Sequence, residues 1–299
     1  MDAFREAIDK YCRKRLSKGV PSLGNDLSAL LLVANADGKL TRAQDPVDVK
    51  AHPKYLLFVD IANEYITNLT ANNKFSPDAK EEAPSTLWWA WYFRAILHEL
   101  AGEYNSGIAL VDKCLETTSG DAVDAYELKA RLLKAGGDIK AAVECLDKGR
   151  ELDKGDRYIN NQTTKYMLQA GMEDMALERI SLFTKHEGNP EQNLYDMQCS
   201  WYELELAESL ARKEQWGKSL KKFGEFPLSD CLFVCVCVCV CVCTCGGIKH
   251  TCPPFVPFQE HAHIFAHVIL RFASLVMDGY YDNNNNNYTQ IHRCRGEAL

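Results

Sequence analysis

Between residues 85 and 223 apolar positions recur at steps of three and four, interrupted by short polar turns, which predicts paired amphipathic helices rather than strands. Three stretches repeat the same plan: AWYFRAILHELAGEYNSGIALVDKCLE, AYELKARLLKAGGDIKAAVECLDKGREL and NNQTTKYMLQAGMEDMALERISLF. Each sets a glycine between its two helices, at Gly102, Gly137 and Gly171, in steps of 35 and 34 residues. Trp91 and Ala95 of the first unit are echoed by Tyr126 and Ala130 of the second. Five residues past each glycine stand Gly107, Ala142 and Ala176, followed by Val111, Leu146 and Ile180. Small residues at matched positions let paired helices approach closely, and the glycine permits a backbone conformation other residues resist.

A period of 34 residues is that of tetratricopeptide (TPR) repeats, whose stacked helix pairs share one core. The expected fold is therefore all-α: a TPR-like α-solenoid of stacked helix hairpins, which is usually a binding surface and not a catalyst. A fourth unit, WYELELAESLARKEQWGKSLKKF, has Ala207 at the small position and Trp216 in the turn, after an insertion around Gly188, Asn189 and Pro190. Ahead of the repeats, residues 1–18 read as one helix closed by Gly19 and Pro21, and SLGNDLSALLLVANA as a second with Ser22 as its cap. Residues 37–53 read as a loop, 54–71 as a helix and KFSPDAKEEAP as another loop. The resulting division is 1–84, amino-terminal helices of the solenoid; 85–223, TPR-like repeats; and 224–299, a separate tail.

The chain has 299 residues, 46% of them hydrophobic, enough for a sizeable core, and its net charge of −7 provides no global basic field for nucleic acid. The amino terminus is a charged amphipathic helix without the apolar run of a secretory signal, so a cytoplasmic location is expected. Cys12, Cys114, Cys145 and Cys199 are scattered through helices as small core residues, while nine of the 13 cysteines lie beyond residue 230. Those nine belong to the tail, most of them to its run CLFVCVCVCVCVCTCGGIKHTCPPFVPF over 231–258. Its Cys-x-Cys pairs could bind soft metals, with His250, His261, His263 and His267 joining them. The uncharged run 231–248 approaches the length of a membrane span, and as a strand the run would sort cysteines and valines onto opposite faces. A plainer origin accounts for more: a GT dinucleotide repeat read in any frame encodes alternating valine and cysteine, as at 234–243. Gly224-Glu225-Phe226 can be encoded by GGTGAGTTT, which contains a common intron start, and the asparagine run 283–287 fits a trinucleotide repeat. The tail is accordingly read as translated non-coding sequence, disordered, binding no metal and crossing no membrane.

Several blocks are more specific than a generic repeat: FREAIDKYCRKRLSKGVPSL, PSTLWWAWYFRAILHELAGEYNSGIALVDKCLE, LDKGDRYINNQTTKYMLQAGMEDMA and NLYDMQCSWYELELAESLARKEQWGKSLKKF. Over approximately residues 1–223 the chain resembles the auxiliary, ribosome-anchoring subunit of the N-terminal acetyltransferase A complex. That resemblance implies a helical ring around a small catalytic subunit that carries the acetyl-coenzyme A chemistry. It also implies association with ribosomes, in many organisms a second related acetyltransferase, and inositol hexakisphosphate at the subunit interface. Family members are several times longer, so the chain reads as a fragment.

Helical spacing names the face such a scaffold would present, on the first helix of each unit. The candidates are Trp89, Tyr92 and Ile96; then Glu127, Arg131 and Lys134; then Tyr158, Asn161 and Lys165; then Trp201 and Arg212. Within it Arg131, Lys134, Lys165 and Arg212 form a basic stripe that Lys154 and Arg157 extend, suited to a polyanion or an acidic partner. Arg157 and Lys165, in the block LDKGDRYINNQTTKYMLQAGMEDMA, are the two positions carried over from the family resemblance. No phosphate-cradling glycine loop, nucleophile with its base or acetyl-coenzyme A signature is legible, and His98 reads as a packed histidine. The reading is a non-catalytic auxiliary subunit, with no cofactor for chemistry, no metal and no direct DNA binding. Its alternative is a free-standing TPR adaptor for peptides.

Overall fold

The computed structural model describes residues 2–224 except 35, 119, 121 and 186. Among these residues the backbone forms thirteen α-helices and one two-stranded hairpin, in two compact units, residues 1–166 and residues from 167 onward. The all-α repeat reading holds.

The first unit opens with α1 (Asp2–Leu16), which buries Ile8, Cys12 and Leu16 at successive turns. Next come α2 (Leu23–Ser28), β1 (Leu32–Ala34), β2 (Leu40–Arg42) and α3 (Pro46–Ala51). Then α4 (Pro53–Asn72) starts on Pro53, with the His52 ring accepting the Lys54 amide hydrogen at 3.1 Å. The paired helices follow: α5 (Ser85–Leu100) with α6 (Tyr104–Thr117), α7 (Val123–Ala135) with α8 (Ile139–Leu152), and most of α9 (Arg157–Gln169). One core gathers Leu16, Phe58, Tyr65, Phe75, Phe93 and Leu97; another lies between α5, α6 and α7, around Trp88, Tyr92, Ile96, Val111, Leu128 and Leu132. The second unit comprises the end of α9, α10 (Glu173–Ser181), α11 (Pro190–Asp196), α12 (Ser200–Arg212) and α13 (Trp216–Gly224).

One terminator recurs. Gly102, Gly137 and Gly171 all adopt left-handed φ, at 69°, 94° and 74°. The amide after each reaches back five residues, Glu103 to His98, Asp138 to Leu133 and Met172 to Met167, each at 2.9 Å. This is the Schellman closure of a helix carboxy terminus. In the fourth unit Glu214 takes the same conformation without being glycine (φ 58°), and Gln215 bonds Leu210 at 2.9 Å. The small positions are closed crossings: Ala95, Ala130, Ala142 and Ala176 are fully buried.

The sequence reading erred in detail at three places. SLGNDLSALLLVANA is a short helix and a strand, because its second half alternates outward Leu32, inward Val33 and outward Ala34. Ser22 makes no side-chain cap bond. Residues 37–53 are not a plain loop: they supply β2, paired antiparallel to β1 (Val33 opposite Thr41), and α3, whose Asp45 caps the Val47 amide at 2.8 Å. Trp216 begins α13 instead of occupying the turn. The tail reading, with its cysteine and histidine clusters, lies outside the described residues.

Candidate functional site

The face of the second repeat was expected to comprise Glu127, Arg131 and Lys134, and α7 presents them at steps of four and three. Arg131 is the centre of a charge network rather than a bare cation. Its Nε donates to Glu99 Oε1 at 3.0 Å and its Nη2 to Glu99 Oε2 at 2.9 Å, a two-pronged pair between α5 and α7. Nη1 donates to Glu127 Oε1 at 3.2 Å, and the Tyr158 hydroxyl of α9 donates to the same oxygen at 2.9 Å. Burial alone would lower the Arg131 pKa; the bonds and charge of Glu99, then the charge of Glu127, outweigh it and raise it. One network thus ties α5, α7 and α9, with Tyr158 still 55% exposed beside it. Burial, followed by Glu127 and Asp156, holds the neighbouring Asp124 carboxyl above its ordinary pKa.

Lys134 sits over the Tyr166 ring, 4.5 Å from its centroid, a cation–π contact. The Tyr166 hydroxyl is itself pushed up to about 12, chiefly by burial. Arg157 is exposed in the first turn of α9, just after Asp156, whose side chain accepts the Tyr158 amide hydrogen at 2.7 Å. Lys165 is half-buried two turns along. Arg212 belongs to the second unit, where Nη2 donates to the Leu168 carbonyl at 3.1 Å and Nη1 lies 3.7 Å from Glu208. A cation on the last carbonyls of α9 completes that helix end. Lys154 pairs with Glu151 at 2.8 Å.

The first repeat's share of the expected face is core instead: Tyr92 and Ile96 are buried, and Trp89 packs, partly buried, against the first core. A methyl group on Gly19 would lie 2.6 Å from Trp89 Nε1, so the chain before α2 already covers that surface. His98 is packed, as expected, with Nδ1 2.7 Å from Glu103 Oε2, and Glu103 also meets Lys50 at 3.3 Å. Burial and then Arg94 depress the His98 pKa despite the carboxylate.

Sequence reasoning missed the carboxylates of α12. Glu203, Glu205 and Glu208 are all buried. Gln169 donates to both Glu205 oxygens at 3.2 and 3.3 Å, and Lys222 stands 3.4 Å from both Glu203 and Glu191. The signal was present in the alternation Glu-Leu-Glu-Leu within a helical stretch. Of these, Glu203, Glu191 and Lys222 line a groove of about 760 Å³ within the second unit, together with Asp174, Tyr195, Lys218 and Lys221. Among the described residues no cluster of three metal-ligating side chains occurs, and no helix is long and apolar enough to cross a membrane.

Paired helices closed by a repeated terminator, with charged and aromatic side chains bridging successive pairs, define a helical-repeat interaction scaffold. The particular family follows from comparison. Residues 1–227 match the model of N-terminal acetyltransferase A, auxiliary subunit, and the chain belongs to that family. It is 35% identical over 221 residues to the N-terminal acetyltransferase A complex auxiliary subunit NAA15 of Arabidopsis thaliana, covering 74% of this chain and 22% of that protein. It is 31% identical to the human N-alpha-acetyltransferase 16, NatA auxiliary subunit, over 75% of this chain and 24% of the relative. A chain in the solved structure of Naa15/Naa10 bound to HypK-THB superposes with a TM-score of 0.61 at 28% identity, over 74% of this chain and 30% of that one. The chain thus spans about a quarter of the length of the curated relatives it matches. The family is that of an auxiliary subunit, in agreement with the non-catalytic reading.

Proposed function

We propose that the chain acts as part of the scaffold of an N-terminal acetyltransferase, holding a catalytic subunit along its repeat helices. The partner carries the acetyl-coenzyme A chemistry, and the scaffold brings it to the ribosome in the cytoplasm, where emerging amino termini are acetylated. A second, related acetyltransferase belongs to the same proposal. The observation that carries it is the family match over residues 1–227, a span that contains all the described helices. The fold likeness to a chain solved together with Naa10 supports the choice of partner. A peptide adaptor gripping a terminal carboxylate has less support: Arg131, central to the face, already holds two carboxylates.

Inositol hexakisphosphate belongs to the same proposal, at Arg157, exposed in the first turn of α9, and Lys165, two turns along the same helix. The test places the charge reversals Arg157→Glu and Lys165→Glu in a full-length family member carrying residues 1–224 of this chain. Recovery of the catalytic subunit and of inositol phosphate should both fall sharply, since truncating even one partner of a buried charge pair costs about 2–5 kcal/mol. Unaltered recovery of both would remove this pair from the interface.

A further inference from the structure

Of the ten prolines in the chain, only Pro77 follows a serine or threonine, and the fold sets an arginine against that serine. Ser76 lies in the segment 73–84 between α4 and α5. Phe75 pins the segment: it is buried, edge-on to Tyr65 with 4.7 Å between ring centroids, and its carbonyl accepts from Asn68 Nδ2 at 2.9 Å. Beyond it the chain turns outward. Ser76 is half-buried, and Pro77 and Asp78 are exposed. From 76 to 81 the backbone makes one hydrogen bond among the described residues, from the Ala79 amide to the Ser76 carbonyl at 3.0 Å. That is a β-turn with proline at its second position, and a residue before proline is already biased toward extended backbone.

Against this turn α1 places Arg13. Its Nη1 donates to Ser76 Oγ at 3.2 Å, while Nε meets Asp9 at 2.8 Å. The guanidinium lies over the Phe75 and Tyr65 rings, 5.5 and 5.7 Å from their centroids, with the side chain 29% exposed. A guanidinium carries more N–H donors than these two contacts consume, in a plane that matches a phosphate with two prongs. A hydroxyl makes little use of such a fork.

We propose that Ser76 is a phosphorylation site for a kinase that reads proline after its serine, and that Arg13 clamps the phosphate. The kinase's base takes the hydroxyl proton as Oγ attacks the γ-phosphorus of a nucleoside triphosphate. The Oγ–P bond forms, the bond from that phosphorus to the bridging oxygen breaks, and the diphosphate leaves. The product carries about two negative charges and three acceptor oxygens beside Arg13. Asp9 shares the guanidinium but also accepts the Tyr65 hydroxyl at 2.6 Å, and Asp78 and Glu81 are exposed, where solvent screens their repulsion. The phosphate thus ties α1 to the segment after α4 more firmly than the neutral hydroxyl does. Neither α7 nor α9 takes part, so the inference stands apart from partner binding.

The test treats the full chain with a purified proline-directed kinase and maps the phosphate by peptide mass spectrometry. Incorporation should be confined to Ser76 and absent from Ser76→Ala. Its rate should lie within about tenfold of that on a peptide of residues 71–82, because so lightly held a turn opens readily. Phosphorylation should raise the melting temperature by about 2–4 °C in the parent and leave it unmoved in Arg13→Met, each compared with its own unmodified form. A second readout needs no variant: in phosphorus NMR the phosphate's second ionisation should fall below its ordinary value of about 6, held there by Arg13. Phosphate on other residues and not on Ser76, or a folded chain that resists modification while the peptide accepts it, would overturn the proposal. So would an equal rise in Arg13→Met, or a phosphoserine that titrates at the ordinary value.

Discussion

Gly149 sits in α8 where that helix crosses α7, and the close approach makes the repeat packing testable by one methyl group. A Cβ added there would lie 2.7 Å from Tyr126 Cβ and 3.2 Å from Ile159 Cδ1. Carbon atoms settle about 3.5–4.0 Å apart, so the crossing must open by about an ångström. No rotamer relieves the contact, because Tyr126 Cβ is bonded directly to the α7 backbone. Two effects oppose one another in Gly149→Ala. Helix preference favours alanine by about 0.8–1.0 kcal/mol, while overpacking a filled crossing costs about 1–3 kcal/mol. The clash should win, leaving a net loss of about 1 kcal/mol, the midpoint of a range from about 0 to about 2 kcal/mol. Thermal unfolding followed by far-ultraviolet circular dichroism should then shift down by about 2–4 °C. Gly217→Ala is the matched control: it too is helical, in α13, but nothing lies within 4 Å of the added methyl. It should keep the preference gain and unfold no earlier than the parent. If Gly149→Ala proved as stable as the parent while Gly217→Ala gained, the α7–α8 crossing would not be as close as described, and the packing account would fail with it.

Arg131→Met should leave the Glu99 and Glu127 carboxylates facing each other without their shared cation; because Arg131 remains 30% exposed, solvent tempers the loss to about 1–3 kcal/mol, seen as a lower urea midpoint that added salt partly restores. His98 adds a pH dependence with a definite sign: its folded pKa lies below the ordinary 6.5, so as pH falls through that value the unfolded state takes up the proton first and stability drops. His98 and Lys50 also hold Glu103 below its ordinary 4.5, which removes further stability at still lower pH; His98→Gln should flatten the first part of the melting-temperature profile, and an unchanged slope there would contradict the assignment. Burial pushes the Cys12 and Cys114 thiols up to about 12 and Cys145 to about 11, so peptide-mapped alkylation of the native chain should reach half-buried Cys199 before those three.

Much of the repeat was legible because its determinants are local. A turn glycine with left-handed φ and an alanine at a crossing act through their own backbone and size, so Gly102, Gly137, Ala95 and Ala130 could be read from spacing. The fourth unit was harder because Glu214 adopts the glycine conformation, and nothing in its residue type announces that. The hairpin was hidden because strands of three residues leave no sustained alternation. On the face, periodicity put Glu127 and Arg131 on the same side of α7, but the other partner, Glu99, is 32 residues away and meets Arg131 only once α5 and α7 pack. Charge partners set by stacking are invisible to helical spacing. The same holds for Arg13 and Lys14, adjacent in sequence, of which one turns into the core and the other to solvent.

The central claim is that this chain holds a catalytic acetyltransferase and performs no acetyl transfer itself. Mixing the purified full chain with the catalytic subunit of a family complex, and measuring both sedimentation and acetylation of peptide amino termini, tests it most directly. The account predicts a one-to-one complex whose activity resides wholly in the added subunit, with none from the chain alone. Acetyl transfer by the chain alone, or two species sedimenting independently at concentrations where the full-length relative forms a complex, would contradict it.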